Sequence, residues 1–128
     1  MAFMLKVTWN IADGKVATFK AAQEELCRVM AEDHPGVICY LADYPAEGVS
    51  EWIEIYANDE AFAAHLANEK GQGPLKTVIE ACDSIECRCF GEPSDASREI
   101  LAGFGTVYKE TPPAAFVLHA RADKDAPV

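Results

Sequence analysis

The spacing of apolar residues along this chain switches from two to about 3.6 and back, in the order strand, helix, strand, strand, helix, strand. Few folds accept that order. Met4 to Asn10 alternates apolar and polar residues, the period of a strand with one buried face. After a turn at Asp13-Gly14, Lys15 to Glu32 carries Val16, Phe19, Ala22, Leu26, Val29 and Met30 as one apolar stripe. That spacing predicts an amphipathic helix of about five turns. Asp33-His34-Pro35-Gly36 stops it, because proline cannot continue a helix and glycine permits a reversal. Val37 to Tyr44 is a second strand, Pro45 to Gly48 a loop of hairpin length, and Glu51 to Tyr56 a third strand. Asn58 or Asp59 can cap a helix over Glu60 to Asn68. Gly71-Gln72-Gly73-Pro74 is expected to interrupt it, with helix resuming from Leu75 to Cys82. Ile85 to Phe90 is the fourth strand. The result is an α+β, ferredoxin-like β-α-β-β-α-β unit.

That unit occupies residues 1–91 as one domain. Residues 92–119 form an extension, packed on the same domain or on a partner subunit. In it Ser94 can cap a short helix over Asp95 to Phe104, and Tyr108 to Glu110 and Ala115 to His119 are strand-like around Thr111-Pro112-Pro113. Residues 120–128 have no apolar pattern and are expected to be a disordered tail.

Helices cover one face of such a sheet, and the other face must be covered by something else. With Ile53 and Ile55 against the helices, Trp52, Glu54 and Tyr56 lie on the open face, beside Glu86, Arg88 and Phe90 of the fourth strand. Two copies can close their open faces into one barrel, which predicts a homodimer with a cavity in each subunit. A carboxylate between two aromatics on a face that becomes buried needs a partner or a raised pKa. Arg88 is the candidate partner for Glu54, and a structural ion pair competes with catalysis as the explanation. His65 follows Tyr56 by nine residues on the next helix. His34 and His119 read as surface and terminal residues. The candidate catalytic residues are His65, Tyr56 and Glu54, and the candidate substrate-binding residues are Asn10, Trp52, Arg88 and Phe90.

A formal net charge of -10 disfavours nucleic acid and anionic membrane as partners, since phosphates would be repelled. No apolar run approaches a membrane span. Five cysteines, an odd number behind no signal sequence, point to reduced thiols in the cytoplasm. Cys87-Arg88-Cys89 puts two thiols on one strand face without a second pair of ligands, so core cysteine is favoured over a metal site and none is assigned.

The run Ile53-Glu54-Ile55-Tyr56, then Asn58, Ala61-Phe62 and His65-Leu66, resembles the signature of the antibiotic biosynthesis monooxygenase (ABM) domains, the quinol monooxygenase-like proteins among them. Those domains show a Glu-x-Trp or Glu-x-Tyr strand end, a small polar cap, and His-Leu on the following helix. The resemblance covers roughly residues 4 to 90. It implies a dimeric α/β barrel of ferredoxin-like subunits. It also implies oxidation of phenolic or hydroquinone-type substrates by molecular oxygen, with no flavin, metal or other cofactor. Glu54, Tyr56 and His65 match the pattern, and Asn10 sits where some members place a polar pocket residue. Two positions depart from it: Lys70 stands where many members carry a second histidine, and Tyr56 where tryptophan is common. A non-catalytic ligand-binding or stress-response protein of the same fold is the alternative. A haem-degrading branch of the superfamily pairs a first-strand asparagine with an aromatic and a histidine, which Asn10 and His65 fit only loosely.

Overall fold

A computed structural model describes residues 2–109. Its elements are β1 (Phe3–Ile11), α1 (Val16–Asp33), β2 (Val37–Ala46), β3 (Val49–Tyr56), α2 (Asp59–Ala67), α3 (Glu69–Glu80), β4 (Cys82–Gly91), α4 (Asp95–Ala102) and β5 (Val107–Lys109). The sheet order is β2-β3-β1-β4-β5. The first four strands pair antiparallel in ferredoxin-like order, and β5 adds to β4 in parallel. The predicted strands at Ala115 to His119 and the tail from residue 120 lie outside the described residues.

The helix-facing side of the sheet starts from β1, where Phe3, Leu5, Val7, Trp9 and Ile11 are all buried. The expected facing of β3 is inverted. Trp52, Glu54 and Tyr56 are buried beneath the helices, and Ile53 and Ile55 look to the open face. Register explains the inversion. Phe3 stands opposite Tyr56, Leu5 opposite Glu54 and Val7 opposite Trp52, and opposed residues share a face. Two large rings also have more apolar area to bury than two isoleucines. They use it: Trp52 packs on Trp9 with ring centroids 4.7 Å apart, and Tyr56 packs edge-on against Phe62 at 5.1 Å.

Asn58 caps α2 as expected, its Oδ1 accepting the Ala61 N–H at 2.8 Å. The glycine-rich segment does not interrupt the second helical region. The break falls at Asn68, whose Oδ1 accepts the Lys70 N–H at 2.8 Å and starts α3. That helix runs through Gly71, Gly73 and Pro74, each unfavourable by itself. Burial of Gly71 against Leu26 of α1, and of Val78, holds it in place.

Gly36 permits a close approach between the α1–β2 turn and α2. A Cβ there would lie 2.7 Å from Ala61 Cβ, and the Gly36 carbonyl accepts the Ala57 N–H at 2.9 Å. Gly36→Ala is expected to cost about 2 kcal/mol by overpacking, read as a lower urea midpoint. An unchanged midpoint would contradict the tight contact.

The extension as far as residue 109 packs on its own chain. Ser94 caps α4 by accepting the Ser97 N–H at 3.2 Å. Asp59 of α2 accepts from the Ser94 N–H at 2.8 Å and from Ser97 Oγ at 2.5 Å. The Arg98 guanidinium lies over the Tyr108 ring at 4.3 Å and ties α4 to β5.

Candidate functional site

Between the sheet and α2, α3 and α4 lies a cavity of about 40 Å³, walled mostly by apolar groups such as Leu5, Val7, Leu75 and Leu101. Among the described residues, Glu54, His65, Tyr40, Trp9 and Trp52 also line it and carry polar groups. They come from β3, α2, β2 and β1, so the cavity exists only where the strand order brings those elements together.

Glu54 accepts a hydrogen bond from Tyr56 Oη. Burial pushes the Glu54 carboxyl up to about 7, and the Tyr56 hydroxyl offsets this only in part. The hydroxyls of Tyr56 and Tyr40 are held well above the ordinary phenol range, first by burial and then by the charge of Glu54. His65 is pushed down to about 4, by burial first and by His34 second, so its ring is neutral at pH 7. It stacks on Tyr56 with centroids 5.9 Å apart and meets the edge of Tyr40 at 5.4 Å.

Among the described residues, three buried polar atoms on side chains that line the cavity have no hydrogen-bond partner: Trp9 Nε1, Tyr40 Oη and His65 Nδ1. Trp52 shows the contrasting, satisfied state. Its Nε1 donates to Ser50 Oγ at 2.9 Å, and that hydroxyl donates to the Asp43 carbonyl at 2.8 Å. The Trp52 N–H is therefore satisfied within the protein, while the buried Trp9 N–H is left without a partner.

His65, Tyr56, Glu54 and Trp52 are brought together as expected, but on the helix side of the sheet. Asn10, Arg88 and Phe90 are not with them. They lie on the open face, where Asn10 Nδ2 donates to Ser84 Oγ at 2.9 Å. The expected Glu54–Arg88 pair does not form because the two residues occupy opposite faces, and Tyr56 takes the place of the arginine. The same separation removes the Asn10–His65 pairing on which the haem reading rested.

His34, expected at the surface, is buried at the end of α1, with its ring centroid 6.1 Å from that of His65. Asn68 Nδ2 donates to its Nε2 at 2.6 Å. A second imidazole thus stands beside His65, supplied by α1 rather than by position 70. Lys70 instead pairs with Asp33 at 3.0 Å. Trp9 and Tyr40 also went unread as site residues. The alternation of β1 already put Trp9 with Leu5 and Val7, but only the assembled sheet shows that its N–H is unpartnered.

No group of three or more His, Cys, Asp or Glu side chains among the described residues could hold a metal ion. Cys87 and Cys89 are buried on one face of β4. No helix among the described residues is long and apolar enough to cross a membrane.

No protein-family model matches the sequence, and no curated protein matches it either. Solved structures do match the fold. A "putative antibiotic biosynthesis monooxygenase" from Caulobacter crescentus CB15 superposes with a TM-score of 0.64 at 17% identity, over 73% of this chain and 91% of that one. One of the same description from Bacteroides thetaiotaomicron VPI-5482 gives 0.63 at 19%, over 67% and 84%. The chain has the ABM fold. MupZ from Pseudomonas fluorescens gives a TM-score of 0.69 at 16% identity, over 94% of this chain and 95% of that one. That match covers more of this chain than the residues up to β4.

Proposed function

We propose that this protein is a cofactor-independent monooxygenase that oxidises a small phenolic or hydroquinone-type substrate with O2 in the cavity at Glu54. The observation that carries this reading is that the buried Glu54 carboxyl lines one cavity with Trp9, Tyr40 and His65, each of which carries a buried polar atom without a partner. Each unpaired buried group costs about 1–3 kcal/mol, a penalty that a ligand with matching groups relieves.

A phenol O–H can donate to the Glu54 carboxylate and pass its proton there. The negative charge then moves from carboxylate to phenolate within the cavity, and no net charge is created in an apolar site. The Tyr40 Oη–H, which lies close enough to Glu54 to feel its charge and has no partner, supplies a donor for the phenolate oxygen. The electron-rich phenolate is what O2 can oxidise. One oxygen atom enters the ring, and the other leaves as water with two hydrogens lost from the substrate. The base in this reading is Glu54 rather than His65, because an imidazole held at about 4 is a poor acceptor for a phenol proton. Independence of flavin and metal is carried over from the ABM resemblance. Oxygen uptake with a panel of single-ring phenols and hydroquinones tests the reading. Consumption of one O2 per substrate supports it, and no consumption by any member of the panel contradicts it.

The mostly apolar lining and small volume favour one alternative, a binding protein without turnover. Saturable binding of a phenol with no oxygen uptake would identify it.

The protein acts as a homodimer. On the open face Leu41 is 52% exposed and Ile38 43%, beside the half-buried Met4, Ile53, Ile55 and Phe90. This apolar cluster, on a face that also carries Lys6, Glu51 and Arg88, is relieved by a second copy. Sedimentation at micromolar concentration is expected to give a dimer, and Leu41→Glu a monomer. A monomeric parent chain would contradict this. Five free thiols fit a reducing cytoplasm.

A further inference from the structure

The cavity at Glu54 is smaller than the substrate class just proposed. Small-molecule sites run to about 300–1,000 Å³, and this one holds about 40 Å³. One wall of it is shared. Cys87 and Phe104 line the interior cavity and also line a crevice of about 220 Å³ between β4 and the α4–β5 connection. No other described residue belongs to both.

The two residues differ in how freely they can move. Cys87 is on a paired strand of the sheet, is 5% exposed, and has a short side chain. Phe104 is half-buried in the turn after α4. Its backbone is fixed: Phe104 N–H donates to the Leu101 carbonyl at 3.0 Å, Gly105 N–H to the Ala102 carbonyl at 3.1 Å, and Thr106 Oγ1 to the Leu101 carbonyl at 2.8 Å. Gly105 takes φ +62°, which lets the chain turn back into β5 directly after the ring. With the backbone held, the movement open to Phe104 is rotation of its side chain between staggered positions.

We propose that Phe104 is the gate and the size filter of the cavity. Turning its ring away joins the cavity to the crevice, bringing the site toward the volume a single-ring phenol needs. The Cys87 thiol then lies on the wall of the passage. This rests on the reading that the cavity takes a phenol, but its test does not depend on turnover. The extension after β4 is thereby assigned a role, since it carries the residue that limits what enters.

The experiment measures N-ethylmaleimide labelling of each cysteine by peptide mass, together with binding of phenol and 2-naphthol by tryptophan fluorescence, in the full chain. In Phe104→Ala, Cys87 is expected to label about tenfold faster than in the parent. The affinity for 2-naphthol relative to phenol is expected to rise about tenfold. Cys89, fully buried two residues along the same strand face, serves as the internal control and keeps its rate. Phe104→Leu retains more of the packing and gives an intermediate labelling rate, which reads the same point if the alanine variant does not fold. Unchanged Cys87 labelling overturns the proposal. So does an equal acceleration at Cys89, which signals loosening of the sheet rather than a gate. Selective Cys87 labelling and improved naphthol binding without oxygen uptake support the gate while contradicting the oxygenase reading.

Discussion

Glu54→Gln is expected to lower kcat/KM for a single-ring phenol by about 10²–10⁴-fold, the usual contribution of a positioned base. Glutamine keeps the shape of the side chain and an oxygen that can accept from Tyr56 Oη, so packing around β3 should be retained. What it loses is the ability to take a proton. The same residue sets the pH profile of the parent protein. Its carboxyl titrates at about 7, and the ionised form is the base. The parent rate should therefore rise with pH up to about 7 and level off above it. His65 adds no limb between pH 5 and 9, since its ring is neutral above about 4. His65→Gln should consequently keep the rise near pH 7, and Glu54→Gln should lose it. A parent profile that is flat through neutrality, or a rise that survives in Glu54→Gln, would remove Glu54 as the base. A role limited to packing would change stability without moving the pH profile.

Glu54 and His65 should also impose opposite pH dependences on stability. The Glu54 carboxyl lies at about 7 in the fold, against an ordinary 4.5. The folded state holds that proton more tightly, so the contribution is full below pH 4.5 and is lost as pH rises to about 7. His65 lies at about 4 in the fold, against an ordinary 6.5. Its contribution is full above pH 6.5 and is lost as pH falls to about 4, because the unfolded chain gains the proton. Each effect amounts to roughly 3 kcal/mol across its window. The windows overlap, so in the parent the two largely cancel between pH 4.5 and 6.5. Single substitutions should expose them. Glu54→Gln should lose stability steeply as pH falls through that range, and His65→Phe should lose it as pH rises. Urea unfolding at a series of pH values measures both, and subtracting the parent curve removes the surface carboxylates common to all three proteins. Parallel curves would show that neither group is perturbed in the fold.

Much of the fold was legible because each signal was local. The stripe of α1, the alternation of β1, and the caps at Asn58 and Ser94 each stand within a few residues of one another. The facing of β3 was not legible, because both of its faces are apolar enough to be buried. Period two separates Trp52, Glu54 and Tyr56 from Ile53 and Ile55 without saying which set meets the helices. Pairing with β1 decides it, and that pairing is long-range. The one inversion had consequences across the site. Arg88 and Phe90 lie on the open face as expected, and Asn10 lies there too, but the residues they were meant to serve are on the other. His65, Glu54 and Tyr56 survive as a group because they sit within one strand-to-helix segment. Trp9, Tyr40 and His34 enter from β1, β2 and α1, and only the assembled sheet brings them near His65 and Glu54.

A carbon-13 NMR titration of the Glu54 side-chain carboxyl, assigned by its loss in Glu54→Gln and run with and without a single-ring phenol, tests the central claim most directly. The account predicts a midpoint at about 7 in the free protein and a saturable shift of that resonance when the phenol is added. A midpoint near the ordinary 4.5, with no response to the phenol, would contradict it.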